Sequence, residues 1–499
     1  MQKNKSSSMK KILLFQFSES GWSMAAAELE LLEKHLSDGA EVKIVRCSGS
    51  CYGCDLNLTR SKLLCFNCKL QSKRGINAMS VKVPTVDYTD YLSEIDYKEI
   101  QKMGENAELS QLDLRKLMFE GFDIGEAVVS ILVSRSRNPD VDPRKFKEVS
   151  QNLLKAGVAA YISADKILQE YKPDLVYFFN GRGSQQRAFR RACIKNTVDF
   201  TIVEEGCDIK RYALFKNSTP HDIEYREKQI RKLWHEGDRE ELLERAHSFY
   251  KKRASGFEGY GVLKNFTQHQ TEGELPKSWR KSNRNIVIFC SSDDEFSAIG
   301  EEWKNEIYES QLDGLIKLSA SAGSFTNDQK VYLRMHPNLS GLINKFRAKC
   351  LELGHQKFEV ILPESNISSY TLLSEADSVI TFGSTIGMEA TYWGKPSILL
   401  GKCFYQNLNS CYVPDNHIEA VEMMLSDLEV KDRLGALMYA SYLVSFGERY
   451  EMSEFGVDPT DVYFRGVHLR GNWIMRKALS VRHKLFGPTI NLFKGRHKE

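Results

Sequence analysis

Short β-branched runs that end in small or polar residues, alternating with helical patterns, constrain this chain more than any other feature. Between positions 330 and 400, Val331-Tyr332-Leu333-Arg334-Met335 runs into His336-Pro337-Asn338. Val379-Ile380-Thr381-Phe382 runs into Gly383-Ser384-Thr385 and a helical pattern through Glu389, and Gly394-Lys395-Pro396 precedes Ser397-Ile398-Leu399-Leu400. Open parallel sheets build ligand sites this way, because strand carboxyl ends and the following helix N-termini converge on one crevice. The free N–H groups and dipole of a helix N-terminus suit an anion such as phosphate. This stretch is therefore expected to hold the phosphate of a nucleotide-activated donor.

The same alternation recurs twice over. A strand at 12–17, a helix at 23–36 and a strand at 41–46 open a Rossmann-like domain. Ser20 sits in the first strand-to-helix loop, on the acceptor side. Helical patterns at 109–122, 125–135 and 146–171 follow, then a strand at 175–179 ending in Asn180-Gly181-Arg182-Gly183 and a strand at 200–203 ending in Glu204-Glu205-Gly206. Asn180 and Arg182 are placed on the acceptor side too. The region 222–255 reads as charged helix, and 261–284, polar with Gly and Pro, as a linker. Strands at 285–290, 330–335, 358–362, 378–382 and 397–400, with helices between them, give a second doubly wound domain. The expected division is a disordered start at 1–9, domains at 10–260 and 285–445, and a basic helical tail at 446–499.

At 499 residues the chain has room for two or three domains with large cores. Hydrophobic residues at 42% and charged residues at 27% fit a globular protein in water. A net charge of +3 gives no case for a nucleic-acid partner. No window reaches the roughly 18 apolar residues of a membrane-spanning helix, and the apolar run after Lys10-Lys11 is too short for a signal peptide. A cytoplasmic location follows, in which cysteines serve as thiols or ligands rather than disulfides.

Five of the eleven cysteines fall between 47 and 68. The pairs Cys51-x-x-Cys54 and Cys65-x-x-Cys68 are the pattern of a tetrahedral metal knuckle, since each can present two thiolates from one tight turn. Structural zinc on Cys51, Cys54, Cys65 and Cys68 is the leading reading, with Cys47 as substitute or bystander. Buried thiols, or an iron–sulfur cluster, are the alternatives.

Arg334-Met335-His336-Pro337, with Phe382-Gly383-Ser384-Thr385-Ile386-Gly387-Met388-Glu389-Ala390 and Gly394-Lys395-Pro396, resembles the capsule polysaccharide synthesis family. It also resembles bacterial sialyltransferases and polysialyltransferases, marked by an acidic-acidic-Gly motif, a His-Pro motif and a Ser/Thr motif. Here those are Glu204-Glu205-Gly206, His336-Pro337 and Ser384-Thr385. The resemblance implies an α/β fold of GT-B architecture, two Rossmann-like doubly wound domains facing a central cleft, with a C-terminal helical tail. It further implies that Glu204, or Glu205 beside it, takes the acceptor hydroxyl proton, and that His336 binds or protonates the leaving phosphate. Ser384 and Thr385 would hold phosphate, Gly383 would let the backbone approach, and Glu389 would take ribose hydroxyls. Pro337 fixes the turn after the strand. Arg334 pairs with phosphate or a carboxylate, or is a salt-bridged structural residue.

The implied activity is transfer of a sugar from a nucleotide donor, a CMP-ulosonate favoured, to a growing surface polysaccharide or lipid-linked glycan, with no metal needed at the donor. The alternatives are a CDP-glycerol-type polyol-phosphate transferase and a non-catalytic assembly protein. The basic residues from Arg465 to Lys498, among Trp473, Leu485 and Phe486, suit either an anionic membrane surface at the inner face of the cytoplasmic membrane or a final helix packed back on the first domain.

Overall fold

The computed structural model describes residues 9–16, 22–256, 270–292, 298–341, 344–456 and 461–470. Its strands, in chain order, are β1 (Lys11–Gln16), β2 (Glu41–Arg46), β3 (Thr85–Asp87), β4 (Leu175–Phe179), β5 (Phe200–Glu205) and β6 (Arg211–Lys216). Then come β7 (Arg284–Phe289), β8 (Gln329–Arg334), β9 (Phe358–Ile361), β10 (Ser378–Thr381) and β11 (Ser397–Leu399), and finally β12 (Glu448–Arg449), β13 (Ser453–Phe455), β14 (Val462–Phe464) and β15 (Val467–His468). The chain divides into two compact units, one reaching Pro220 and resuming at Phe446, the other spanning His221–Ser445.

In the first unit the sheet order is β12-β6-β5-β4-β1-β2-β3, with β3 through β5 parallel and β6 antiparallel to β5. In the second it is β11-β10-β7-β8-β9, all parallel. Both are doubly wound α/β sheets, as the alternation predicts. Such strands are covered on both faces, and the second sheet shows it: Ile286, Ile288, Val331, Leu333 and Ile380 enter one core, while Val287, Phe289, Tyr332 and Val379 enter the other.

Four stretches differ from expectation. The helices Ile223–Glu236 and Arg239–Ala254 pack in the second unit. Leu242, Ala246, Phe249 and Tyr250 are buried there, the Tyr250 hydroxyl donates to the Ala436 carbonyl at 2.7 Å, and the Ser441 hydroxyl donates to that of Leu242 at 2.8 Å. Of the expected linker, the described part from 270 onward is also packed: Trp279 is buried with its ring centroid 4.6 Å from that of Tyr332. The helical pattern at 109–122 yields only Gln111–Arg115, because Phe119 and Phe122 then exchange backbone hydrogen bonds across a turn in which Gly121 has φ +81°.

The last stretch also departs from the expected helical tail, of which 471–499 lies outside the described residues. Residues 448–468 form four short strands. Arg449 and Glu448 extend the first sheet through β6, and β13-β14-β15 make a small antiparallel sheet. Glu30, fully buried on the helix Trp22–Ser37, anchors this return: its carboxylate accepts the N–H groups of Glu451 at 2.7 Å and Met452 at 2.9 Å. A buried carboxylate needs such donors.

Candidate functional site

In the second sheet the strand order reverses beside β7, so the crevice at the carboxyl ends of β7, β8 and β10 is where an open α/β sheet places a ligand. The predicted donor residues sit at these ends. His336 follows β8 and is half-buried. It caps the short 3-10 turn Pro337–Leu339, its Nδ1 accepting the Asn338 N–H at 3.1 Å. That acceptor role leaves Nε2 as the N–H nitrogen of the neutral ring. Pro337 starts the turn at a position where its missing N–H costs nothing. The Asn338 amide donates to the Ser292 hydroxyl at 3.3 Å, tying the end of β8 to the end of β7.

Gly383 and Ser384 follow β10. Gly383 has φ +121°, and a Cβ there would stand 2.8 Å from the Lys402 carbonyl oxygen, so the turn requires glycine. The Ser384 N–H donates to the Thr381 hydroxyl at 3.0 Å, and the Ser384 carbonyl accepts the Tyr405 hydroxyl. Thr385 caps the helix Ile386–Tyr392 through its backbone, without a side-chain bond to the helix N–H groups.

Two residues expected on the donor are engaged elsewhere. Glu389 is fully buried: one carboxylate oxygen accepts Arg253 Nε at 3.0 Å and the Thr385 hydroxyl at 3.2 Å, and the other accepts the Tyr370 hydroxyl at 2.5 Å. With both oxygens taken, it orders the turn from inside instead of meeting a ribose. Arg334, 1% exposed, donates to the backbone carbonyls of Leu362 and Ser365. It clamps the ends of β8 and β9 together, and burial lowers its pKa to about 10. Arg253 and Tyr370, which no sequence pattern marked, complete the Glu389 cluster. An i,i+4 spacing from Thr385 to Glu389 was the only available signal.

In the first unit the order reverses beside β1, so Asn180 after β4 and Glu204 at the end of β5 occupy the corresponding crevice. The Asn180 amide donates to Glu204 Oε2 at 2.7 Å, and the Glu205 N–H donates to Glu204 Oε1 at 3.0 Å. Glu204 is half-buried, Glu205 exposed. Gly206 donates to the Arg211 carbonyl at 3.0 Å, and a Cβ on it would lie 2.6 Å from the Arg211 Cβ, so the acidic-acidic-Gly motif ends in glycine for packing reasons. Arg182 donates its N–H to the Asn180 side chain at 3.2 Å and its Nε to the Ser130 hydroxyl at 2.6 Å, behind the loop. Ser20 lies outside the described residues.

The five clustered cysteines are free thiols that line one cavity of about 1040 Å³ in the first unit. Among the described residues no three His, Cys, Asp or Glu side chains converge as a metal ion would require. Cys51 donates to the Gly53 carbonyl at 2.6 Å, and Cys65 accepts the Asn57 amide at 3.3 Å. Burial pushes the Cys54 thiol well above its usual range. No helix among the described residues is long and apolar enough to cross a membrane.

Fold and site define a class: an α/β protein of two Rossmann-like units, each with polar motif residues at the switch-point end of its sheet. Residues 259–409 match the model of the capsule polysaccharide biosynthesis protein family, a span that includes His336, Gly383, Ser384 and Glu389. Among solved structures, the chain is similar to the beta Kdo 2,7 transferase of Thermosulfurimonas dismutans KpsC at 15% identity, covering 65% of this chain and 89% of that one with a TM-score of 0.35. The beta Kdo 2,4 transferase of the same KpsC matches at 15% identity over 54% of this chain and 79% of that one, TM-score 0.33. A UDP co-structure of S. aureus MnaA matches at 13% identity over 96% and 97%, TM-score 0.27. No curated protein matches the chain.

Proposed function

We propose that this protein is a glycosyltransferase of capsule polysaccharide biosynthesis, of GT-B type, with a nucleotide-activated sugar, a CMP-ulosonate favoured, as donor. The observation that carries the reading is the placement of His336 and of Gly383-Ser384 at the ends of β8 and β10, the two strands that flank β7 at the switch point, inside the segment that matches the capsule family. In this reading His336 Nε2–H donates to the departing phosphate oxygen as the glycosidic bond to phosphate breaks. Ser384 contributes its hydroxyl, backed by Thr385, whose own hydroxyl donates to Glu389. Glu204, held by Asn180 and the Glu205 N–H, accepts the acceptor hydroxyl proton as the new bond forms. The acceptor is a growing surface polysaccharide or lipid-linked glycan, met at the cytoplasmic side of the membrane, and the transfer is assigned no metal at the donor.

A thermal-shift screen of CMP-, CDP-, UDP- and GDP-linked compounds tests the donor. Stabilisation by CMP compounds supports the ulosonate; a preference for CDP would move the reading to polyol-phosphate transfer, and one for UDP or GDP would overturn the cytidine assignment. Product formation undiminished in both Glu204→Gln and His336→Ala would sink the catalytic reading altogether.

A further inference from the structure

The helix Lys62–Asn77 reverses the usual arrangement of a surface helix. Its buried residues are Asn67, Gln71 and Gly75. A Cβ on Gly75 would lie 2.5 Å from Leu29 Cδ1 on the helix Trp22–Ser37, which fixes that side as the packed one. Leu63, 48% exposed, and Phe66, 53% exposed, point away from it. They stand three residues apart with half-buried Leu70 one turn further on, so the three share a strip. Lys62, Lys69 and Lys73, all exposed, run beside that strip. A helix adapted to water alone would bury its apolar side chains and expose its amides; an apolar strip left outside marks a contact surface. The charge around it is of one sign. From Leu56 to Val86 there are six Lys or Arg and no Asp or Glu. Lys62, Lys69 and Lys73 form no ion pair among the described residues. The sequence from Arg470 onward is no counterpart for this face, since it carries eight Lys or Arg against one Glu.

We propose that this helix docks the protein on an anionic phospholipid surface, with Leu63, Phe66 and Leu70 entering just below the headgroups and Lys62, Lys69 and Lys73 meeting lipid phosphates. A bilayer of this kind supplies both halves of what the face offers, an apolar layer and a rim of phosphates. A purely acidic ligand would leave Leu63 and Phe66 unmatched. Lysine stems lie along apolar surface while their ammonium ends stay at the headgroups, and each cation held near an anionic leaflet adds to the attraction. The surface deepens the proposed function by giving a transferase a way to reach a lipid-linked acceptor. Binding is read without donor or acceptor, so its failure and that of the transfer reading are separable.

The test is sedimentation of the full chain with vesicles of phosphatidylcholine alone and of phosphatidylcholine mixed with phosphatidylglycerol. Wild type should partition onto the mixed vesicles and be released as salt rises from about 0.1 to about 1 M, where the screening length falls from about 10 to about 3 Å. Lys62→Gln/Lys69→Gln/Lys73→Gln should weaken the partition by roughly tenfold or more. Leu63→Ser/Phe66→Ser should weaken it by a similar factor while the salt dependence remains. These five side chains are exposed, so the melting temperature of both variants should match wild type. Lys232→Gln, at a side chain 62% exposed on the other unit, should change nothing. Equal binding to both kinds of vesicle would overturn the proposal. So would a wild-type chain that ignores the mixed vesicles, which would leave an acidic protein as the partner of this face. Full binding by both helix variants would overturn it too, and would move the contact to the basic stretch after Leu469.

Discussion

The Asn180 side chain donates a 2.7 Å hydrogen bond to Glu204, joining the ends of two neighbouring strands, β4 and β5. One oxygen is thereby fixed, and the Glu205 N–H fixes the other. A base so oriented loses little freedom when it meets a substrate hydroxyl. Glu204→Gln, nearly isosteric, should lower kcat by roughly 10²–10⁴ while the melting temperature stays within a degree or two of wild type. Asn180→Gly, which tolerates the φ of 55° at this position, should lower kcat less and leave donor KM unchanged. Steady-state kinetics with both variants checks this, and an unchanged kcat in Glu204→Gln would remove it as the base.

Glu389 and Arg253 form a buried pair at 3.0 Å, with the carboxylate side chain 1% exposed. Removing one partner leaves an uncompensated charge. Arg253→Met should therefore destabilise the second unit by roughly 3–5 kcal/mol, and the double variant Arg253→Met/Glu389→Gln by clearly less. Urea denaturation of the single and double variants reads the coupling; additive losses would show that the two act independently.

Asp123 accepts hydrogen bonds from both Arg187 and Arg191, with Arg187 Nε at 3.0 Å and Arg191 Nε at 2.7 Å. Burial alone would raise its pKa, but the two guanidinium groups hold it well below the usual carboxylate range. A depressed pKa means stability that is present above the unfolded-state value, about 3.9, and lost as pH falls through the folded value. Asp123→Asn should be less stable than wild type at pH 7, and the gap should narrow steadily below about pH 4. Thermal melts across pH 2–8 measure it; a gap independent of pH would show that the aspartate charge is not the cause.

At Gly383 a side chain meets both a left-handed φ and a backbone oxygen 2.8 Å away. Gly383→Ala should cost about 1–3 kcal/mol and displace Ser384, raising donor KM. Full stability with unchanged KM would show that the turn can relax elsewhere.

The long parallel strands were legible because each is a continuous β-branched or aromatic run bounded by polar residues. Glu41–Arg46 and Leu175–Phe179 fall where the pattern places them, and the others agree within a residue or two. β6, with the sequence Arg211-Tyr212-Ala213-Leu214-Phe215-Lys216, was not: it is an edge-side hairpin partner of β5 with charged ends, recognisable only through pairing. Strands of two or three residues, such as Glu448–Arg449 and Val467–His468, carry no period at all. At the site, strand-end motifs located His336, Gly383 and Glu204, since backbone geometry alone puts those positions at a crevice. The engagement of Glu389 by Arg253, 136 residues away, could not be read, because it depends on a helix the sequence assigned to the other domain.

Gly447 and Arg211 meet although they lie 236 positions apart in the chain. On the ribosome, then, the first unit is begun first and finished last. Its sheet lacks an edge strand, and the Glu30 carboxylate lacks the N–H groups of Glu451 and Met452, until the entire second unit has been synthesised. A chain that stops before Phe446 would carry a complete second unit beside a first with an open edge and a buried charge lacking these donors. Truncation before Phe446 would thus be felt at the sheet that begins with Lys11.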